Sequence, residues 1–265
     1  MFRLSLRSRS SLLHRLGFCG LRRASENVPL RRCTVEKVDQ CVVVRLVSEN
    51  KENRVNPEFL DAFHKALDQV ESYEDAVSMV TTSEGKHFSL GLELELLAGS
   101  SYSEFMKYMS DVQDLFRRLF TFPLVTVAAV NGHIYAAGAL LGLCHDHIIM
   151  NNSKGFFCLP EVNLRLNFPV GWTEILKARL PQRELKAAVV LGKRYGGMEA
   201  ERAGIVDELA PPETLREAAI AAAGRLAGPG LDRKTVSALK HDLYRDIVLA
   251  MSEPPKYYSH IPIIS

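Results

Sequence analysis

Three short segments contain residue types that could act together on a carbonyl compound. Gly85–Leu94 is a loop that turns from a strand into apolar sequence, and Asn131–Leu140 is a strand-to-helix turn of small residues. Leu159–Asn163 places one acid, Glu161, among apolar neighbours. Such segments can supply backbone N–H donors that stabilise an oxyanion and a carboxylate that moves a proton.

The small residues of the second segment fit a site for a carbonyl oxygen. The first N–H groups of a helix have no intrahelical partner, so a helix start without bulky side chains leaves them accessible to a ligand. Gly91 likewise lets the backbone beside it approach a ligand closely. Close packing of a helix on a strand explains the same small residues, and both interpretations stay open at this point.

Glu161 has the surroundings expected of a general base. Leu159, Pro160 and Val162 flank it, and removal from water opposes ionisation of a carboxyl group. A raised pKa suits proton transfer near neutral pH. His145 and His147 lack a third candidate ligand, so we predict no metal site there. The five cysteines contain no CxxC pair and indicate reduced thiols.

The first 25 residues differ in composition from the rest of the chain. They hold six arginines and no acid, with serines and leucines between them, which is typical of a mitochondrial transit peptide. We predict a mitochondrial transit peptide, or else a disordered leader, over residues 1–33, and a location in the mitochondrial matrix. The remaining 240 residues carry 27 basic and 31 acidic side chains, and this acidic balance argues against nucleic-acid binding.

Hydrophobic periodicity predicts strands that alternate with helices up to about residue 200, and helices alone after that. The apolar stretch Leu124–Cys144 is interrupted by Asn131-Gly132-His133, so no integral membrane segment is expected. The pattern predicts an α/β core over residues 34–210, a helical region over 211–252 and a tail over 253–265. The predicted strands include Thr34–Val47, Ala76–Thr82, Val125–Val130, His147–Met150 and Phe156–Leu159. The predicted helices include one that starts at Asn56-Pro57, then Ser103–Phe122, Ala136–Leu143, Trp172–Arg179, Arg183–Leu191, Glu199–Ala203, Pro212–Leu226 and Asp232–Ala250.

Several motifs, in order and spacing, resemble the enoyl-CoA hydratase/isomerase family, also called the crotonase family. They are F-S-x-G-x-E-L at Phe88–Leu94, V-N-G-H…A-A-G at Val130–Gly138, C-x-D at Cys144–Asp146 and P-E-V at Pro160–Val162. The resemblance covers roughly residues 35–250. It implies a spiral of ββα units whose C-terminal helices build a homotrimer or a dimer of trimers. It also implies an acyl-CoA thioester as substrate, with no separate cofactor.

The resemblance also implies roles for individual residues. Glu161 would be the catalytic carboxylate, and the backbone N–H groups of Leu90 and Ala137 would receive the thioester oxygen. Asp146 and Glu93 would have structural roles, although Glu93 lies next to the substrate loop. The residues expected to contact substrate are Gly91, Leu92, Glu93, Leu94, Gly138 and Leu140.

The number of acids decides which reaction the resemblance favours. Family hydratases use two glutamates, and the position of the first is Leu140 here, whereas the second is Glu161. Moving a double bond from C3 to C2 of an enoyl-CoA needs one base, which takes a proton from C2 and returns it at C4. The pattern therefore resembles the Δ3,Δ2-enoyl-CoA isomerases of fatty-acid β-oxidation. Two alternatives stay open: another crotonase-type reaction, such as dienoyl-CoA isomerisation, hydration or thioester hydrolysis, or a catalytically silent binding protein.

Overall fold

The computed structural model describes residues 28–30 and 32–259. The strands are β1 Val28–Leu30, β2 Cys33–Val38, β3 Cys41–Leu46, β4 Ser78–Ser83, β5 His87–Ser89, β6 Val125–Val130, β7 His133–Tyr135, β8 His147–Asn151, β9 Phe156–Cys158, β10 Arg194–Gly196 and β11 Glu208–Ala210. The helices are α1 Pro57–Ser72, α2 Tyr102–Phe120, α3 Ala137–Leu143, α4 Glu161–Leu164, α5 Val170–Arg179, α6 Gly197–Ala203, α7 Leu215–Ala227, α8 Arg233–Leu243 and α9 Arg245–Ser252. A 3₁₀ turn covers Leu94–Leu96, and a π-helical turn covers Lys186–Val190.

Two sheets share the strands in a repeating order. The larger sheet runs β1-β2-β3-β4-β6-β8-β11 and the smaller runs β10-β9-β7-β5. Three times in succession, one strand joins the large sheet and the next joins the small one: β4 then β5, β6 then β7, and β8 then β9. Pairing between β3, β4, β6, β8 and β11 is parallel. This alternation confirms the predicted α/β spiral of ββα units.

The central strands of the large sheet, β3, β4, β6 and β8, are buried on both faces, which explains why they read as continuous apolar runs. Val43, Val80 and Val127 face helix α7 and pack with its alanines. The opposite face packs against a second, larger core that includes α1, α2, α3 and α5. The predicted strand Val125–Val130 coincides with β6, and its central position between β4 and β8 fixes the turn that follows it.

The two long helices of the first half begin at caps that the sequence contains. Asn56 precedes α1, and its side-chain oxygen accepts the N–H of Phe59 at 2.8 Å, with Pro57 at the first helical position. Ser101 and Glu104 form a reciprocal capping box at the start of α2. Each cap fixes the residue at which its helix begins. The cap at Ser101 therefore also marks the end of the loop that begins after Ser89.

Three predicted elements are corrected by the structure. The predicted strand Thr34–Val47 is a hairpin of β2 and β3, because the chain turns at Asp39, which has a φ of +53°. The predicted helix Asp232–Ala250 is two helices, α8 and α9, which meet at Tyr244. Within Arg183–Leu191 the backbone forms the π-helical turn instead of a regular helix.

The boundary of the predicted leader differs from the structure. Val28–Leu30 pairs with β2 as strand β1, although it falls inside the predicted leader over 1–33. Residues 1–27 and 31 of that leader, and residues 260–265 of the predicted tail, lie outside the described residues. No helix among the residues that the structure describes is long and apolar enough to cross a membrane.

Candidate active site

A largely apolar cavity of about 250 Å³ brings the three sequence segments together. Glu161 from α4, Ala137 from α3, and Leu90 and Leu92 from the loop after β5 all contribute to its wall. Arg54 and Glu161 are the charged side chains among the described lining residues. The lining consists of Arg54, Leu90, Leu92, Leu94, Leu97, Phe105, Met109, Tyr135, Ala136, Ala137, Pro160, Glu161, Leu164, Leu166, Asn167, Phe168, Trp172 and Tyr257.

Glu161 is buried at this cavity and has an unsatisfied carboxylate oxygen. Glu161 is 6% exposed, and its Oε2 atom has no hydrogen-bond partner among the described residues. Burial raises the pKa of Glu161 to about 7, and a smaller contribution from its own backbone N–H opposes this effect. The predicted environment of Glu161 is therefore confirmed: this carboxyl group can release and take up a proton near neutral pH.

Ala137 offers one backbone N–H to the cavity. It is the first residue of α3, and no described residue accepts its N–H. The turn before it passes through Ala136, which has a φ of +52°, a value that strains any residue with a side chain. Ala136 is held there by its own N–H, which donates to the carbonyl of Cys158 at 3.0 Å. The strained turn allows α3 to start at the cavity wall.

The structure corrects one of the two predicted oxyanion donors, Leu90. The N–H of Leu90 donates to the carbonyl of Glu52 at 3.0 Å, so it is already occupied. Glu52 lies in the segment before α1, and this contact could not be read from the F-S-x-G-x-E-L motif alone. Leu90 lines the cavity, as predicted, but its N–H does not supply the donor.

Leu92 carries the free N–H of this loop. On either side of it the backbone is occupied: the N–H of Gly91 bonds to Ser89 Oγ at 3.2 Å, and the N–H of Glu93 bonds to the carbonyl of Val55 at 3.1 Å. Within the described chain nothing accepts the N–H of Leu92, which lines the cavity beside Ala137. Leu92 and Ala137 together provide two unpartnered donors at one wall.

Gly91 brings these two donors together. Its φ is +85°, and a side-chain carbon on it would lie only 2.8 Å from the backbone nitrogen of Ala137. Ser89 Oγ donates to the carbonyl of Asn53 at 2.7 Å, which ties the loop to the segment before α1. The side chain of Asn53 in turn donates to the carbonyl of Phe88 at 3.0 Å. This network holds the loop with Gly91 pressed against the start of α3.

The other predicted contact residues divide between the cavity and its support. Leu94 lines the cavity. Glu93 accepts a hydrogen bond from Asn56 Nδ2 at 2.7 Å and so stabilises the loop. A side-chain carbon on Gly138 would lie 2.5 Å from the carbonyl oxygen of Ser89, which makes Gly138 a close-packing position. Leu140 is fully buried outside the lining, so its contact with substrate stays a prediction.

Asp146 has the structural role that the sequence predicts. Its Oδ2 atom accepts hydrogen bonds from the N–H and hydroxyl of Thr126 and from Lys240 Nζ at 2.6 Å. Lys240 is buried and also donates to the carbonyl of Leu124, so it fastens α8 to the core away from the cavity. His145 is buried with a hydrogen bond to Thr81, and burial lowers its pKa to about 4.

Most of the lining was not found from the sequence, and three of these residues come from distant parts of the chain. Arg54 precedes α1, Trp172 lies on α5, and Tyr257 lies in the segment after α9. The side chain of Arg54 bonds to the carboxylate of Glu52 at 2.7 Å and to the carbonyl of Leu92 at 3.3 Å. Residues this far apart in the chain meet only through the tertiary fold, and no local motif marks them.

Comparison with known proteins decides the family. The model of the family described as "Enoyl-CoA hydratase/isomerase" matches residues 36–253. The chain belongs to the enoyl-CoA hydratase/isomerase family. The predicted resemblance is thereby confirmed, and the match covers every described strand from β3 onward and helices α1 to α9.

The similar proteins include several isomerases of this family. The peroxisomal enoyl-CoA delta isomerase 1 of Arabidopsis thaliana is 29% identical over 223 residues, which is 82% of this chain and 91% of the relative. The mitochondrial enoyl-CoA delta isomerase 1 of Homo sapiens is 30% identical over 190 residues, 71% of this chain and 63% of the relative. The crystal structure of human mitochondrial delta3-delta2-enoyl-CoA isomerase superposes with a TM-score of 0.78 at 25% identity, covering 83% of this chain and 86% of that one.

Proposed function

We propose that this protein is a Δ3,Δ2-enoyl-CoA isomerase, which converts 3-enoyl-CoA into trans-2-enoyl-CoA in fatty-acid β-oxidation. One observation carries the proposal: Glu161 is the sole carboxylate in the described lining of a largely apolar cavity that also contains the unpartnered N–H groups of Leu92 and Ala137. Isomerisation needs one proton carrier and one oxyanion site, and the cavity contains that set.

In the proposed mechanism the thioester oxygen accepts hydrogen bonds from Leu92 and Ala137. The ionised carboxylate of Glu161 removes a proton from C2, and the electron pair of the broken C–H bond moves toward the thioester oxygen, giving a dienolate. The protonated Glu161 then returns the proton at C4. The double bond ends between C2 and C3, with no net gain or loss of atoms, so the reaction uses no separate cofactor.

The electrostatics of the cavity suit both halves of this cycle. A pKa of about 7 makes Glu161 a usable base and, once protonated, a usable acid at neutral pH. Two backbone donors at an oxyanion are worth several kcal/mol of transition-state stabilisation, since losing one donor costs about 3 kcal/mol in a well-studied case. The apolar lining also limits protonation of the dienolate by water.

The absence of a second acid favours isomerisation over hydration. Adding water across the double bond calls for a group that activates the water as well as one that handles the C2 proton. By the family resemblance the position of that group is Leu140, an apolar residue, and the described lining contains no carboxylate besides Glu161. Dienoyl-CoA isomerisation usually needs an additional acid too, so it is less compatible with this lining.

We further propose that the protein works in the mitochondrial matrix as a homotrimer or a dimer of trimers. The arginine-rich first 25 residues support the location. Three leucines on the C-terminal helices support the assembly, because Leu239, Leu243 and Leu249 are each more than half exposed. Leu239 and Leu243 lie one turn apart on α8, and neighbouring exposed apolar side chains are typical of an interface.

The proposal is tested by measuring two activities on one protein preparation. The purified chain is supplied with cis- and trans-3-enoyl-CoA, and separately with trans-2-enoyl-CoA for water addition. We expect conversion of the 3-enoyl substrates, little hydration, and a loss of isomerisation by about 10²-fold or more in Glu161→Gln. Equal isomerisation rates in the wild type and the variant would exclude Glu161 as the proton carrier.

The exposed Glu95 provides a matched control, since Glu95→Gln makes the same change near the substrate loop outside the cavity. We expect Glu95→Gln to keep the wild-type rate. A preparation that hydrates trans-2-enoyl-CoA faster than it isomerises 3-enoyl-CoA would identify the protein as a hydratase instead.

A further inference from the structure

The segment after α9 supplies one wall of the cavity. Tyr257 belongs to this segment and lines the cavity together with Phe105 of α2 and Trp172 of α5. The ring of Tyr257 lies 6.4 Å from that of Phe105, centroid to centroid. Phe168 also lines the cavity, and we call Phe105, Phe168, Trp172 and Tyr257, four of the five aromatic residues in the described lining, the aromatic wall.

The polarity of the cavity indicates which part of a thioester meets this wall. The phosphates of coenzyme A require polar surroundings, and the cationic side chain in the described lining is Arg54. The acyl chain is hydrocarbon, and the aromatic wall is the apolar surface that such a chain buries most favourably. With the thioester oxygen at Leu92 and Ala137, the chain therefore extends toward the aromatic wall.

Hydrogen bonds to the residues just before Tyr257 hold its segment in place. Before it, Gln113 Nε2 donates to the carbonyls of Met251 at 3.1 Å and Glu253 at 2.8 Å. The carbonyl of Lys256, next to Tyr257, accepts the N–H of Val170 at 2.8 Å. These contacts anchor the segment to α2 and to the start of α5, so the ring of Tyr257 has a fixed place in the wall.

The cavity is small for a pocket that binds a small molecule. Pockets that bind small molecules commonly measure about 300–1,000 Å³, and this one measures about 250 Å³. The hydroxyl oxygen of Tyr257 is buried without a hydrogen-bond partner among the described residues. Tyr257 thus occupies its place through the bulk of its ring and not through a polar contact.

We infer that Tyr257 limits the length of the acyl chain that the cavity accepts, so that the protein prefers short acyl-CoA thioesters. The inference rests on the proposed function, since it assigns the cavity to an acyl chain. Replacing Tyr257 with alanine removes one ring of the aromatic wall, and longer acyl chains enter the space that the ring occupied.

Calorimetry measures the affinity of the full-length protein and of Tyr257→Ala for saturated acyl-CoA esters. The acyl chains range from roughly 4 to 16 carbons, so that they include chains shorter and longer than the cavity. The measurement requires no turnover of substrate. We expect the wild type to bind short chains best. In Tyr257→Ala the ratio of long-chain to short-chain affinity should rise by about tenfold or more, the effect of about 1.4 kcal/mol.

Two further variants separate the ring from its surroundings. Tyr258→Ala changes the neighbouring tyrosine, which is 92% exposed, and should leave the affinity ratio at the wild-type value. Tyr257→Phe keeps the ring and removes the unpartnered hydroxyl, so it should also keep the wild-type ratio and confirm a folded protein. A Tyr257→Phe ratio that shifts as far as that of Tyr257→Ala would refute a role of the ring.

The outcomes distinguish this inference from the proposed function. If the wild type binds acyl-CoA and the ratio is the same in Tyr257→Ala, Tyr257 does not set the chain length and the proposed function stands. If the wild type binds no acyl-CoA of any length, both fail.

Discussion

Replacing Glu161 with glutamine should change the stability of the protein in a pH-dependent way. In an unstructured chain the carboxyl group has a pKa of 4.5, and burial raises the pKa of Glu161 to about 7 in the folded chain. The folded state therefore holds this proton more tightly than the unfolded state. The stabilising contribution is fully present below pH 4.5 and is lost as the pH rises through 7. The difference corresponds to about 3 kcal/mol.

Glutamine has nearly the same shape and no charge, so the variant escapes this loss. Its amide lacks a partner just as Glu161 Oε2 does, and that cost is the same at every pH. We expect the free energy of unfolding of Glu161→Gln, minus that of the wild type, to increase by about 3 kcal/mol between pH 4 and pH 8.5. Urea unfolding at several pH values measures this difference. A difference that is constant across the range would refute the burial argument.

Other substitutions test the substrate loop and the supports of the cavity. Gly91→Ala should reduce isomerisation more than tenfold, because its new side-chain carbon meets the backbone nitrogen of Ala137. The control Gly99→Ala, at a φ of +78° with nothing within 4 Å, should keep the wild-type rate. Equal rates in the two variants would contradict the assignment of the two donors. Ala136→Gly should raise the free energy of unfolding by up to about 1 kcal/mol by relieving the positive φ, measured by urea unfolding. Lys240→Met should lower the free energy of unfolding by about 3 kcal/mol, because it breaks the buried ion pair with Asp146. The affinity for acyl-CoA, measured by calorimetry, should not change. A drop in affinity without a loss of stability would place Lys240 at the ligand.

The sequence predicted the layers of the fold better than its turns. β6 is a central strand whose apolar run is unmistakable, and α1 and α2 carry caps that mark their first residues. The hairpin at Asp39 was missed because no glycine or proline marks the turn, and aspartate tolerates a positive φ. The break at Tyr244 was missed because the apolar spacing continues from α8 into α9.

The location of the candidate site was predictable, but the identity of its free N–H donors was not. The burial of Glu161 was predictable because Leu159 before it is buried and Pro160 lines the cavity, although Val162 after it is 47% exposed. The choice between Leu90 and Leu92 was not, because it depends on which N–H the distant carbonyls of Glu52 and Val55 accept. Tyr257 was missed for the same reason, since it reaches the cavity only when the segment after α9 folds back across α2 and α5.

The central claim is that Glu161 exchanges a proton with C2 of a bound thioester while backbone donors hold the oxyanion. Mass spectrometry of a saturated short-chain acyl-CoA incubated with the protein in D₂O measures this step without turnover of a double bond. We predict deuterium at C2 with the wild type and at least about 10²-fold slower incorporation with Glu161→Gln. Incorporation at the same rate with both proteins, or with neither, would contradict the account.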